Sequence, residues 1–351
     1  MVRKLLAIIA LAGTSYAQAQ DSTSTPLEIT GSVDTYFKYD FANTPNIPTS
    51  FATDHNSISL GMIDVALKKT TGKTSFVGEI SFGPRGQYQS IPNGDGTDGN
   101  SFHIQNLYAS YAFTEKFSMT AGYMGTFIGY EVISPVANFN YSTSYLFTNG
   151  PFQNAGIKAN LALSDKVGVM VGLFNDWNNY TDFNGVSHFG AQLSLTPVEG
   201  WTAYLNVLTG SSDPVFDEDS NTFVDNYSSG TILDLTTSYQ ISDKFALGLN
   251  AADYSFKSDG GYTGVALYPK YFIKENIGLG LRGEYFKWKD VGDVEGDAFT
   301  SVTLSANLKS GGLTFIPEIR LDNSKQSAFV KENLSPTKSA TQFSLALVYA
   351  F

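Results

Sequence analysis

The last ten residues of the chain, 342–351, alternate polar or small side chains with large apolar ones up to Phe351. In a β-strand successive side chains point to opposite faces, so this segment predicts a strand with one apolar and one polar face. The apolar face consists of Phe343, Leu345, Leu347, Tyr349 and Phe351. Because a period of two does not say what that face touches, a soluble β-sandwich and a membrane barrel both stay open at this point.

The same pattern recurs along the chain from residue 27 onward, in segments of about ten residues. Seven tight polar turns lie near 71–73, 114–116, 164–166, 198–200, 242–244, 274–276 and 310–312. Eight longer connections lie near 42–54, 85–100, 125–150, 175–187, 211–229, 258–261, 289–296 and 323–339. These fifteen connections predict about sixteen antiparallel strands, within a range of fourteen to eighteen. Short turns at one end and long loops at the other are typical of bacterial outer-membrane barrels.

Charged residues occupy the polar face of these segments. In 277–288, for example, Arg282 and Glu284 have the opposite parity to Leu279 and Leu281. A sandwich would place such charges in bulk water, whereas a barrel of sixteen strands would place them in an aqueous lumen. Aromatic residues near the segment ends favour the barrel, because rings are enriched at both membrane interfaces. The sequence therefore predicts an all-β fold, a transmembrane antiparallel up-and-down β-barrel that occupies residues 27–351.

The first nineteen residues have the pattern of an export signal. Arg3 and Lys4 precede an apolar stretch at 5–13, and Ala17 and Ala19 form a small-residue cleavage site. We expect residues 1–19 to be cleaved and residues 20–26 to form a short N-terminal segment. The chain has no cysteine, so its stability in an oxidising compartment must come from the sheet and not from disulfides.

The composition excludes several classes of function. A formal net charge of −11 argues against a nucleic-acid partner, which needs clustered basic residues. His55, His103 and His188 stand alone without metal-ligand spacing, and we expect each to be solvated. No cofactor is expected; the acidic segments 94–99 and 213–225 could hold Ca²⁺, but solvated acidic surface is the preferred interpretation. No catalytic motif is present, so we expect no enzyme; a hydrolytic site that uses His103 or His188 is a minor alternative.

The third long connection, 124–151, is the longest and is rich in aromatic and apolar residues. Such a loop can bury these residues by folding inward against the barrel wall, where it would narrow the pore. The alternative is a loop packed outward as a lid or a subunit contact. For the inward arrangement we expect a pore constriction formed by loop residues and by inner-face residues of the wall, namely Glu131, Asn138, Asn140 and Tyr141 together with Lys158, Arg282, Glu284, Glu318 and Arg320.

Short motifs in and around this loop carry a family resemblance. They are Gly129-Tyr130-Glu131, Asn138-Phe139-Asn140-Tyr141-Ser142 followed by Ser144-Tyr145, and FQNAG at 152–156. Weaker motifs lie at 175–178, 282–286 and 318–322. With these motifs the sequence resembles the OmpL-like β-barrel porins of Gram-negative bacteria, common among the Bacteroidetes. The resemblance implies an outer-membrane pore and no catalytic residues.

From these observations we expect an outer-membrane porin of a Gram-negative bacterium, with a water-filled channel for passive diffusion of small hydrophilic solutes. The balance of inner-face charges predicts a slight cation preference. The expected partners are outer-membrane lipid, the solutes, the outer-membrane assembly machinery and, as a homotrimer, two further copies of the chain. The alternative function is a structural or adhesive barrel that binds a surface partner through its acidic extracellular loops.

Overall fold

The structure is a computed structural model, and it describes residues 24–85, 91–92, 102–179, 181–182, 185–217 and 221–351. The predicted export signal at 1–19 and the acidic turn at 94–99 lie outside the described residues. In the described ranges, no helix has the length and apolar character needed to cross a membrane.

The described part of the chain is built almost entirely of β-strands. In chain order the elements are β1 (Glu28–Asp40), β2 (Ser57–Thr71), β3 (Thr74–Phe82), β4 (Ile91–Pro92), β5 (Phe102–Ala112), β6 (Phe117–Gly125), α1 (Tyr145–Asn149), β7 (Gln153–Ser164), β8 (Val167–Phe174), β9 (His188–Leu195), β10 (Trp201–Gly210), β11 (Val215–Asp217), β12 (Thr222–Val224), β13 (Gly230–Ser242), β14 (Phe245–Phe256), β15 (Gly261–Lys274), β16 (Ile277–Trp288), β17 (Ala298–Ser310), β18 (Leu313–Ser324), β19 (Phe329–Val330), β20 (Pro336–Thr337) and β21 (Ser339–Ala350). The short strands β4, β11, β12, β19 and β20 lie in the long loops. The other sixteen strands form the wall.

These sixteen strands close into an antiparallel barrel. Each wall strand pairs with its neighbours in sequence, and β21 pairs both with β18 and with β1. At the closing seam, Gly31 and Phe351 exchange two backbone hydrogen bonds of 3.1 and 3.0 Å. The predicted strand number is therefore confirmed, and the last strand pairs with the first, as the predicted up-and-down barrel requires.

The two faces of the wall follow the predicted parity. In β16, Leu279 and Leu281 are each 39% exposed on the outer surface, whereas Arg282 is 0% exposed and Glu284 is 5% exposed on the inner face. The apolar face of β21 likewise points outward, and its polar and small side chains point inward. An apolar outer belt fits a lipid environment. Closure of the sheet fits it too, because no strand edge is left with unpaired backbone groups.

Two irregularities interrupt the wall strands. The pairing of β1 with β2 shifts register between Val33 and Thr35, which places a bulge at Gly61 and Met62. Glycine suits this bulge because a Cβ on Gly61 would lie 1.9 Å from a carboxylate oxygen of Asp34. The second irregularity is at Pro317: a proline cannot donate a ladder hydrogen bond, so its place in the sequence predicts a strand that is bulged or locally unpaired. It pairs with β21, but the pairing of β18 with β17 is interrupted between Glu318 and Phe315 without a change of register, so the strand is locally unpaired and not bulged.

Candidate pore and its third loop

The connection from β6 to β7, residues 126–152, lies inside the barrel; we call it loop 3. Its residues bond to inner-facing side chains of β1, β13, β15, β16, β17 and β18. Loop 3 contains the helix α1, whose N-cap Ser144 accepts a hydrogen bond from the Phe147 N–H. The inward position expected from its apolar composition is confirmed, and the outward lid is not what the structure shows.

Two wall carboxylates hold the backbone of loop 3. The N–H groups of Tyr141 and Ser142 donate to the two carboxylate oxygens of Glu318 at 2.8 and 3.0 Å. Those of Tyr145 and Leu146 donate in the same way to Glu284 at 3.0 and 2.9 Å. Each carboxylate thus satisfies two consecutive backbone donors, which compensates for its removal from water.

Two wall guanidinium groups hold the same segment through its carbonyl groups. Arg282 donates to the Ser142 carbonyl at 2.6 Å and pairs with Glu131 of loop 3 at 2.8 Å. Arg320 donates to the Thr143 carbonyl at 2.6 Å and pairs with Asp322 at 2.8 Å. Both arginines are 0% exposed. Breaking a buried pair of this kind is costly because one charge is left without a partner.

Side chains of loop 3 add further bonds to the wall. The Asn140 amide donates to Ser305 Oγ at 2.7 Å, and the Tyr141 hydroxyl donates to Asp34 at 2.5 Å. The Tyr145 hydroxyl donates to Asp322 at 2.6 Å. We call the group of bonds between 141–146 and Arg282, Glu284, Glu318 and Arg320 the loop 3 anchor.

Aromatic packing fills the lumen on the anchored side. Tyr145 stacks on Phe299 with ring centroids 4.8 Å apart, and Tyr130 stacks on Tyr268 at 4.4 Å. These rings belong to a buried cluster that includes Tyr254, Tyr262 and Phe286. Sequence reasoning missed this cluster, although the rings of β14 to β17 share the parity of the polar inner face and could have revealed it.

The first long loop, residues 41–56, also enters the lumen; we call it loop 1. The Ser50 N–H donates to Thr148 Oγ1 at 2.8 Å, and Thr143 Oγ1 donates to the Ser50 carbonyl at 2.6 Å. Phe51 and Ala52 have positive φ angles of 68° and 48°, a backbone conformation that is unfavourable for residues other than glycine. Loop 1 therefore lies against loop 3 from the β1–β2 side. No local pattern in the sequence indicated this contact.

The inner wall opposite the anchor is more open. Around the barrel β7 is the sixth strand, and β16 to β18 are the thirteenth to fifteenth, so Lys158 of β7 lies across the lumen from the anchor. Half-buried side chains line this wall from β3 to β7; they include Glu79, Tyr108, Ser110, Lys158 and Asn160. We call this region the open wall.

The structure brings most of the predicted constriction residues together. Glu131, Asn140, Tyr141, Arg282, Glu284, Glu318 and Arg320 meet at the interface between loop 3 and the wall, and none is more than 7% exposed. Lys158 lies on the open wall, and Asn138 bonds within loop 3 to the backbone of Val132. That these nine side chains contact a permeating solute remains a prediction.

The histidines differ from expectation. His188 is 2% exposed and His103 is 0% exposed, so the expectation that both are solvated is wrong. A ring nitrogen of His188 lies 2.9 Å from the Ser228 carbonyl, and the other lies 2.7 Å from Ser187 Oγ, which itself donates to Asp176. Burial raises the pKa of the Asp176 carboxyl. This network joins two long loops at the barrel mouth. Sequence reasoning missed it because its members are distant in sequence.

Among the residues that the structure describes, no three His, Asp or Glu side chains come together as ligands for a metal ion. The two acidic segments that could hold Ca²⁺ are not fully described. The turn at 94–99 lies outside the described residues, and so do Glu218 and Asp219 of the segment 213–225.

Comparison with solved structures relates the fold to outer-membrane channels. The outer membrane channel DcaP of Acinetobacter baumannii superposes with a TM-score of 0.61 at 13% identity, with 93% of this chain and 97% of that chain covered. An anion-selective porin from Comamonas acidovorans gives 0.61 at 12% identity, with 94% and 100% covered. OmpT of Vibrio cholerae, in its trimer form, gives 0.59 at 12% identity, with 94% and 100% covered. At these identities the likeness concerns the fold.

Sequence comparisons give the family. A search of curated protein sequences finds no significant match. The family model described as "Putative beta-barrel porin-2, OmpL-like" matches residues 26–351, nearly the whole barrel. This match agrees with the resemblance found in the loop 3 motifs. The chain therefore belongs to the OmpL-like β-barrel porin family.

Proposed function

We propose that this barrel is a channel of the bacterial outer membrane through which small hydrophilic solutes diffuse passively. The observation that carries the proposal is the asymmetry of the lumen. Loop 3 is bonded to the wall at β16 to β18, whereas several inner-facing side chains of β3 to β7 are only partly buried, among them Glu79, Tyr108, Ser110, Lys158 and Asn160. Solutes would pass between loop 3 and the open wall, and polar side chains would keep that passage hydrated.

The charges of the lumen support a slight cation preference. Carboxylates outnumber cations on the inner face: eight carboxylates, namely Asp34, Asp40, Asp64, Glu79, Asp234, Glu284, Glu318 and Asp322, face the six cations Lys38, Lys68, Lys158, Lys270, Arg282 and Arg320. Small hydrated ions respond to the summed field of such a lumen. An excess of carboxylates therefore favours cations.

Planar-bilayer recording on the refolded protein tests both statements. We expect stepwise conductance, and in a KCl gradient a reversal potential displaced toward the K⁺ equilibrium value. Val132→Ala shortens a side chain of loop 3 that is 42% exposed, and it should enlarge the conductance steps because it widens the passage. A silent wild-type barrel contradicts the channel, and a reversal potential of the opposite sign contradicts the cation preference.

We further propose a homotrimer inserted by the outer-membrane assembly machinery, exported with cleavage of residues 1–19, and without enzymatic activity. OmpT of Vibrio cholerae has a trimer form, which supports the oligomeric proposal for this fold. Mass measurement of the protein extracted in mild detergent tests the trimer. A mass of one chain would contradict it.

A structural or adhesive role is the second candidate, and one exposed hairpin favours it. β11 and β12 pair in the loop between β10 and β13, and their cross-strand rings Phe216 and Phe223 are 52% and 72% exposed. Exposed paired rings commonly mark contact surfaces. Replacing both rings by serine should abolish surface attachment and leave conductance unchanged if this role holds; unchanged attachment contradicts it.

A further inference from the structure

Most inner-face charges at the middle of the barrel already have bonding partners. Arg282 and Arg320 bond to loop 3, Lys38 donates to the Thr53 carbonyl, and Lys270 donates to the Tyr130 hydroxyl. Lys158 is different: among the described residues, no side chain or carbonyl forms a hydrogen bond or ion pair with its ammonium group. It lies partly buried on the open wall.

A row of hydroxyl groups leads to Lys158 across the wall. In the strand register Lys158 pairs with Thr120, Thr120 with Ser110, and Ser110 with Ser75. The hydroxyls of Ser110 and Thr120 lie 2.8 Å apart. Side chains directly opposite on neighbouring strands stand roughly 5 Å apart, so the row spans about 15 Å of inner surface. We call Ser75, Ser110, Thr120 and Lys158 the hydroxyl row.

We propose that the hydroxyl row is a solute-contact site for small polyhydroxylated anions, meaning sugar-like molecules that carry one carboxylate or phosphate. The inference rests on the proposed channel function and names a class of solute for it. The Lys158 ammonium supplies three donors and a positive charge for the anionic group. The hydroxyls of the partly buried Ser75 and Ser110 both donate and accept, as the hydroxyls of such a solute require. Thr120 is 7% exposed, and its hydroxyl bonds to that of Ser110.

This site is compatible with a cation preference for small ions. K⁺ and Cl⁻ cross the lumen hydrated and respond to its total charge, whereas a solute wide enough to touch the wall meets the side chain that faces it. Removing the positive charge of Lys158 should therefore have two effects at once. It should weaken the preference for anionic sugars and should make the channel more selective for K⁺ over Cl⁻.

The test is the permeation of glucuronate and glucose 6-phosphate relative to glucose through the wild-type protein reconstituted in liposomes. The quantity measured is the permeation rate of each anion divided by that of glucose. We expect this ratio to be about two- to fivefold lower in Lys158→Gln than in the wild type, which is the range of one exposed charge contact. A loss for glucose 6-phosphate alone would assign the site to phosphates, and a loss for glucuronate alone would assign it to carboxylates.

Two further variants make the outcome decisive. Lys158→Arg keeps the charge and should retain the anion preference, and Lys166→Gln removes a lysine from the exposed tight turn between β7 and β8 and should leave the ratio unchanged. Equal ratios in wild type and Lys158→Gln, with both barrels folded and conducting, overturn the inference while leaving the channel function intact. Absence of any conductance in the wild type overturns the channel function itself.

Discussion

At the residue scale, the loop 3 anchor depends on a few buried side chains that each form several hydrogen bonds to the loop. Glu318 is 2% exposed, and its two oxygens accept from two consecutive backbone N–H groups. Ser305 Oγ also donates to it at 2.7 Å. An amide of the same shape has one acceptor oxygen and one donor NH₂ group, so it cannot accept both backbone bonds.

We therefore expect Glu318→Gln to loosen loop 3. The unpaired backbone N–H should cost about 1 to 3 kcal/mol of local stability. The measurement is current noise in single-channel records, together with the midpoint of thermal unfolding in detergent; noise should rise and the midpoint should fall. Glu199→Gln, in the exposed turn before β10, is the matched control and should change neither. Equal noise in the two variants would show that Glu318 does not hold the loop.

At the element scale, the sequence predicted strands and their faces better than it predicted what loops contact. The alternation of side chains in segments such as 277–288 and 342–351 was sufficient to predict their faces, because strand periodicity is local and one face must be apolar. The partners of loop 3 are distant in sequence, so no periodicity reports them. The wall residues of the anchor could be predicted as constriction residues, because the sequence shows which charges lie on an inner face. Their partners, the peptide groups of 141–146, could not be predicted from it.

Two glycines of strand β16 allow a matched test of how loop 3 packs against this strand. A Cβ on Gly280 would lie 2.3 Å from the ring of Phe139 in loop 3, whereas a Cβ on Gly283 would meet no heavy atom within 4 Å. We expect Gly280→Ala to displace Phe139 and to alter single-channel conductance, and Gly283→Ala on the outer face to leave conductance unchanged. The same conductance in Gly280→Ala and wild type would mean that Phe139 does not pack against β16.

At the scale of the whole molecule, closure depends on a seam between the first and last strands. Phe351 exchanges two backbone hydrogen bonds with Gly31, and a Cβ on Gly31 would lie 2.7 Å from the Phe351 ring. Deletion of Phe351 removes both bonds, each with a net contribution of about 0.5 to 1.5 kcal/mol, and shortens the outer aromatic belt. The periodic sequence of 342–351 predicted this strand, but only the paired register shows which residues close the ring.

We expect deletion of Phe351 to reduce the fraction of protein that inserts and folds in the outer membrane. The folded fraction can be measured by the faster electrophoretic migration of unheated, intact barrel. Phe41→Ala is the matched control, since Phe41 and Phe351 are each 58% exposed and the substitution leaves in place the backbone hydrogen bond of 3.0 Å from Phe41 to Thr341. Equal folded fractions in the two variants would argue against a role of the last residue in assembly.

The loop 3 anchor bonds to peptide groups of 141–146 and not chiefly to their side chains. A substitution in that segment leaves N–H and C=O groups in place, so the fastening of the loop and the chemistry of the passage can change independently. In evolutionary terms, related porins could acquire new solute preferences by exchanging residues on the open wall and exposed residues of loop 3 such as Val132, while the loop keeps its position. The same separation makes this barrel a suitable scaffold for engineered pores.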